Sequence, residues 1–152
     1  MSIIGDTSDV KNYANVTNAL SIKTSTGDMS LSSITCANEL KIRVTTGDAH
    51  VSDTTCKTLV SSGSTGDLTL RKVIVTERLS AERGTGDVKF DSCDAAEIFV
   101  TTDTGDVTGT LLTEKVFIPR SDTGEIDVPK TITGGRCEIT TDTGDIKIRI
   151  AQ

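Results

Sequence analysis

One tripeptide, Thr-Gly-Asp, recurs along nearly the whole chain and constrains its fold more than any other feature. Its glycines are Gly27, Gly47, Gly66, Gly86, Gly105, Gly124 and Gly144, spaced 19 or 20 residues apart. Thr26, Thr46, Thr65, Thr85, Thr104, Thr123 and Thr143 precede them. Asp28, Asp48, Asp67, Asp87, Asp106 and Asp145 follow them, and only the sixth copy departs, with Glu125. A fixed period of this size marks an array in which each unit buries its apolar face against the next. Gly5-Asp6, 22 residues before Gly27, reads as a degenerate earlier copy.

With each glycine set to zero, the rest of the unit aligns. Seven residues before it stand Leu20, Leu40, Leu59, Leu79, Ile98, Phe117 and Cys137, and five before it Ile22, Ile42, Ser61, Ala81, Val100, Pro119 and Ile139. That is the period-2 alternation of a strand with one buried face. After the glycine the inward positions become even: Met29, Ala49, Leu68, Val88, Val107, Ile126 and Ile146 at two, with Leu31, Val51, Leu70, Phe90, Gly109, Val128 and Ile148 at four. The one-residue slip marks a corner, which a glycine able to take positive φ permits. A second slip restores odd positions, with Ile34, Val73, Cys93 and Leu112 seven after the glycine. Each unit therefore reads as three short strands joined by turns.

Three strands in 19–20 residues leave no room for crossover helices. The fold class expected is all-β, a right-handed parallel β-solenoid (β-helix) of about seven coils. At roughly 4.8 Å per coil the rod is about 34 Å long. Residues 1–152 read as a single repeat domain, with 1–19 a degenerate first coil or cap and 20–150 the Thr-Gly-Asp coils. An antiparallel sandwich of hairpins is the competing architecture, and it does not require two slips at the same offsets in every unit. Composition agrees with thin coils: aromatics are 3% of the chain and 26 residues are Thr, a strand former.

Net charge is −6 with no Lys/Arg cluster, so no nucleic-acid partner is expected. No stretch approaches the ~18 apolar residues of a membrane helix, and no membrane insertion is expected. The start, Met1-Ser2-Ile3-Ile4-Gly5-Asp6, has no basic or apolar leader. A cell-envelope or extracellular location therefore requires a longer exported chain, and a cytoplasmic one stays open. Cys36, Cys56, Cys93 and Cys137 lack metal-site spacing and read as free core thiols, Cys36 and Cys56 as stacked neighbours. No cofactor or metal is expected.

If the coils stack in chain order, the residues after the glycines form one carboxylate column from Asp28 to Asp145, with the Thr-Gly-Asp corners a structural turn ladder and a candidate binding edge. Neighbouring charges ~5 Å apart repel by roughly 0.8 kcal/mol in water. The favoured resolution is that each Asp caps N–H groups of its own turn; a cation ladder is the alternative. Thr-x-Thr pairs such as Thr102-Asp103-Thr104 and Thr141-Asp142-Thr143 suggest an ice-binding array, but Val44, Gly63 and Arg83 interrupt it.

The units, apolar-x-apolar-x-Thr-x-Thr-Gly-Asp-apolar-x-apolar from about Leu20 to Ile150, resemble a bacterial family of adhesin-like repeat domains of unknown function found in cell-envelope and stress-response proteins. The resemblance implies an envelope-associated β-solenoid that binds protein or glycan, with no catalytic residues to carry over. The residues add no catalytic constellation: His50, the sole histidine, alternates outward beside Ala49 and Val51. The expected function is a non-catalytic surface interaction module. The alternatives are a carbohydrate-active enzyme with carboxylates on a coil face and a self-assembling scaffold. The latter would be a homo-oligomer joined through uncapped ends, one of them the closing Ile146-Lys147-Ile148-Arg149-Ile150.

Overall fold

A computed structural model of the chain describes residues 2–5, 10–12, 20–131 and 133–150, with side chains from residue 21 onward. The strands are β1 (Ser2–Gly5), β2 (Val10–Asn12), β3 (Leu20–Thr26), β4 (Met29–Ser32), β5 (Glu39–Thr46), β6 (Ala49–Thr65), β7 (Leu68–Thr85), β8 (Val88–Thr104), β9 (Val107–Leu111), β10 (Lys115–Thr123), β11 (Ile126–Asp127), β12 (Gly135–Thr143) and β13 (Ile146–Ile150). Every pairing between them is parallel, and the repeat sets the register, with Leu40 opposite Leu59 and Ala49 opposite Leu68. The chain is a β-solenoid of about six turns, slightly fewer than the expected seven coils.

The two phase slips are corners. At the first, each repeat glycine has φ between +131° and +154°. At the second, Ser33, Asp53, Lys72 and Ser92, six residues after their glycines, take φ of 55°, 48°, 52° and 55°. That left-handed conformation costs a non-glycine residue roughly 1–2 kcal/mol, and each of the four bends stacks on the same bend in a neighbouring coil. Inside, the aligned rows close into one core: Leu40, Leu59, Leu79 and Ile98 lie over one another, as do Leu31, Val51, Leu70 and Phe90, all at most 4% exposed.

One inward residue is misplaced by the repeat pattern. The coil of Gly105 is one residue shorter past its corner, so Leu111 lies opposite Cys93. Leu111 is buried and Leu112, expected in that row, is 41% exposed.

The order of the last two coils also departs from the expectation. β12 pairs with β8 on one side and β10 on the other, and β13 lies between β9 and β11. The coil of Gly144, last in sequence, is thus inserted between the coils of Gly105 and Gly124. The expected open end at Ile146–Ile150 is therefore corrected: β11 covers Ile146 and Lys147, and the outermost coil is that of Gly124. Composition explains the inversion. The inserted coil brings Cys137, Ile139, Ile146 and Ile148, each at most 1% exposed. At the same positions the outer coil carries Phe117, Pro119, Ile126 and Val128, and Ile126 is 44% exposed. Pro119 cannot donate to a ladder and is tolerated in the edge strand β10. The outer coil is fastened by Lys115, whose buried ammonium meets the Asp94 carboxylate at 2.7 Å.

At the other end β1 and β2 pair in parallel with β3 and β4. Gly5 lies opposite Thr24, three residues short of Gly27, so Gly5-Asp6 is not the corner copy. Counting from Val10 opposite Met29, the sequence counterpart of Thr26-Gly27-Asp28 is Thr7-Ser8-Asp9, outside the described residues. The irregular segment 13–19 and Tyr13 also lie outside them.

Candidate functional site

The Thr-Gly-Asp corners stack into a ladder tied by three hydrogen bonds at each step. The glycine N–H donates to the Thr carbonyl of the next coil, as Gly66 does to Thr85 at 2.9 Å. The residue after the Asp donates to the next Asp carbonyl, as Leu68 does to Asp87 at 2.8 Å. In return each Asp N–H donates to the preceding carboxylate: Asp48 to Asp28 Oδ1, Asp67 to Asp48, Asp87 to Asp67, Asp106 to Asp87, Asp145 to Asp106 and Glu125 to Asp145, at 2.8–3.1 Å. The carboxylates therefore cap the neighbouring coil, not their own turn as expected. At the corner an N–H that would otherwise lack a partner gains a charged acceptor, the stronger kind of hydrogen bond.

This arrangement accounts for each residue of the motif. A Cβ on Gly86 would stand 1.9 Å from the carbonyl oxygen of Gly66, so the glycine is needed for close approach as well as for positive φ. Glu125 stands in the outermost coil, where no further described N–H reaches its carboxylate, so the longer side chain disturbs nothing. The preceding threonines, from Thr26 to Thr143, are all exposed along this edge.

The first residue of each Thr-x-Thr faces inward, so the pairs do not form a flat outer array. Thr102 and Thr141 hydroxyls donate to the carbonyls of Gly86 and Gly105, at 3.3 and 3.1 Å, and Ser121 donates to Gly144 at 2.8 Å. Arg83 occupies this row in its own coil and is 1% exposed. Its guanidinium fills the space left by Gly63, where a Cβ would lie 1.9 Å from Nη1. Nη2 meets Ser61 at 3.4 Å, while Nε and Nη1 have no partner. Burial lowers the Arg83 pKa, and the carboxylates of Asp48 and Asp67 oppose that shift.

The four cysteines are buried thiols with no disulfide between them. Burial pushes the Cys56 thiol up to about 12, with neighbouring Cys36 adding to the rise, and pushes Cys137 up to about 12. His50 is exposed on β6. Among the described residues no three His, Cys, Asp or Glu side chains stand together as a metal site.

Grooves open instead on the outer face of the sheet formed by β3, β5, the later halves of β6, β7 and β8, then β12 and β10. One of about 340 Å³ lies among Lys23, Lys41, Arg43, Val60 and Ser62. A second of about 480 Å³ shares Arg43 and Ser62 and continues over Ser64, Gly84 and Asp103. A third of about 500 Å³ runs between Phe99 and Ile118 beside Glu138. Sequence reasoning missed this face, because its outward positions follow no repeat.

Residues 11–152 match the model of a domain family described as Toastrack DUF4097. No curated protein and no solved structure matches the chain.

Proposed function

The chain belongs to the Toastrack DUF4097 family, and from that premise we propose that it is a non-catalytic interaction module whose outer sheet face receives a protein or glycan. The observation that carries this reading is the three grooves side by side on one face, whose outward-pointing side chains, such as Lys23, Arg43, Asp103 and Glu138, neither fill the core nor hold the corners. Carried in a longer exported chain, such a module works at the cell surface or envelope, in the adhesin-like role that its repeat resembles.

The test is binding of the 152-residue chain to arrayed glycans and surface proteins, with a triple variant K23A/R43A/F99A as control. The expected result is a bound partner lost in the variant while circular dichroism stays unchanged. Binding that survives in the variant, or turnover of a bound polysaccharide, counts against the reading.

A further inference from the structure

The outer face is charged in opposite senses at its two ends. On β3 and β5 it displays Lys23, Lys41 and Arg43 against the single acid Glu39. On β8, β12 and β10 it displays Glu97, Asp103, Glu138, Asp142 and Asp122 against Arg136 and Arg120. The strand between these halves, β7, contributes Arg78, Ser80, Glu82 and Gly84. From this polarity we propose that the face docks a second copy of the chain, with the two solenoid axes antiparallel and a two-fold axis running along β7. The inference rests on the reading of this face as the interaction surface.

The two-fold sets each strand against a defined partner, and β5 meets β12. Glu39 then faces Arg136 and Lys41 faces Glu138, so the exposed Glu39–Lys41 pair, at 3.4 Å within one copy, meets its charge inverse in the other. Arg136 and Glu138 have no ion-pair partner of their own among the described residues. Arg43 falls against Thr140, between Glu138 and Asp142. Next to this, β6 meets β8, and Phe99 faces the groove floored by Val60 and Ser62. The opposite choice, with axes parallel, sets Lys41 against Arg43 and Glu97 against Asp103, with only Arg136 against Asp142 to offset them.

Some like charges do meet in the antiparallel arrangement: Glu82 and Arg78 each face their own copy, and Lys23 approaches Arg120. Arg78 is already held by Glu97 and lies over the Phe99 ring, 5.2 Å from its centroid. Lys23 and Arg120 have Asp122 beside them. The area suffices. Seven strands at about 4.8 Å, each about eight residues long at 3.3 Å, make a face of about 900 Å², and a specific interface takes about 800 Å² from each partner.

The test reverses charges at two outward-facing sites, exposed Lys41 and half-buried Glu138, that neither fill the core nor hold the corners. K41E and E138K each set like charges opposite one another twice per dimer. By sedimentation equilibrium at high micromolar concentration the 16.0 kDa chain should sediment at twice its mass, with each single variant weaker by about tenfold or more. Mixing K41E with E138K restores both contacts and should restore the dimer, as should the double variant K41E/E138K. A parent chain that stays monomeric, a dimer indifferent to both reversals, or a mixture no tighter than its parts overturns the proposal. Because this measurement reads mass alone, its failure leaves the binding of a foreign partner to be judged by its own assay.

Discussion

Removing one rung of the carboxylate ladder sets two opposing terms against each other, and salt separates them. Asp67 Oδ1 accepts the Asp87 N–H at 2.8 Å. In D67A that N–H loses a charged acceptor, which costs about 2 kcal/mol. The same change removes repulsion from Asp48 and Asp87, one coil away on either side, and adds to the cost by removing an attraction to the buried Arg83 guanidinium. At ~5 Å each neighbour contributes roughly 0.8 kcal/mol in water, cut to about half at physiological ionic strength by a Debye length near 8 Å. The net loss is then about 1 kcal/mol, a fall of about 2–4 °C in Tm for a domain of this size. At about 1 M salt the repulsion is almost fully screened and the loss grows toward 2 kcal/mol. D67N keeps an acceptor oxygen and drops the charge, so it should stay within about 0.5 kcal/mol of the parent. E125A, at the end of the column, should be equally mild. Urea unfolding of the three variants at low and high salt measures all of this. If D67A and E125A cost the same, or if D67A becomes milder as salt rises, the carboxylates do not hold the coils together.

The inserted coil predicts an inverted ranking: I146A should cost about 3 kcal/mol and I126A less than about 1, read from urea midpoints, whereas stacking in chain order requires the reverse. Arg83 is a buried charge with two unpartnered nitrogens, so R83M should stabilise the chain by about 1 kcal/mol or more, and a lower melting temperature would contradict that account. Cys56 and Cys137 have folded-state values near 12, above their ordinary 9.0. The unfolded chain therefore loses these protons first, so their contribution is intact below pH 9 and declines between pH 9 and 12. Denaturation at pH 8 and pH 10.5 should show a fall that is shallower in C56A/C137A, and equal falls would refute the linkage.

The corners and the core were legible because both repeat. Glycine spacing located the stacked turns, and the slips in apolar phase located the bends, including those at Ser33, Asp53, Lys72 and Ser92, where no glycine advertises a left-handed residue. Coil order was not legible, since the units of Gly124 and Gly144 share one register and either fits against β8. The discriminating signals were local: Glu125, the only substitution of the motif's acid; Pro119 in a strand; and Phe117 and Val128 where the competing unit has Cys137 and Ile148. The outer face stayed hidden for the opposite reason. Its residues fill no core row, and no periodicity marks them.

The inserted coil has a mechanical consequence. A stacked rod pulled from an outermost coil opens one ladder at a time, each coil peeling from a single neighbour. A pull applied beyond Ile150 reaches a strand gripped by Val107–Leu111 on one side and Ile126–Asp127 on the other. Once Ile148–Ile150 have left β9, the load must shear Ile146 and Lys147 out from between two strands, so the rod should resist tension through this end more than a plain stack of the same coils.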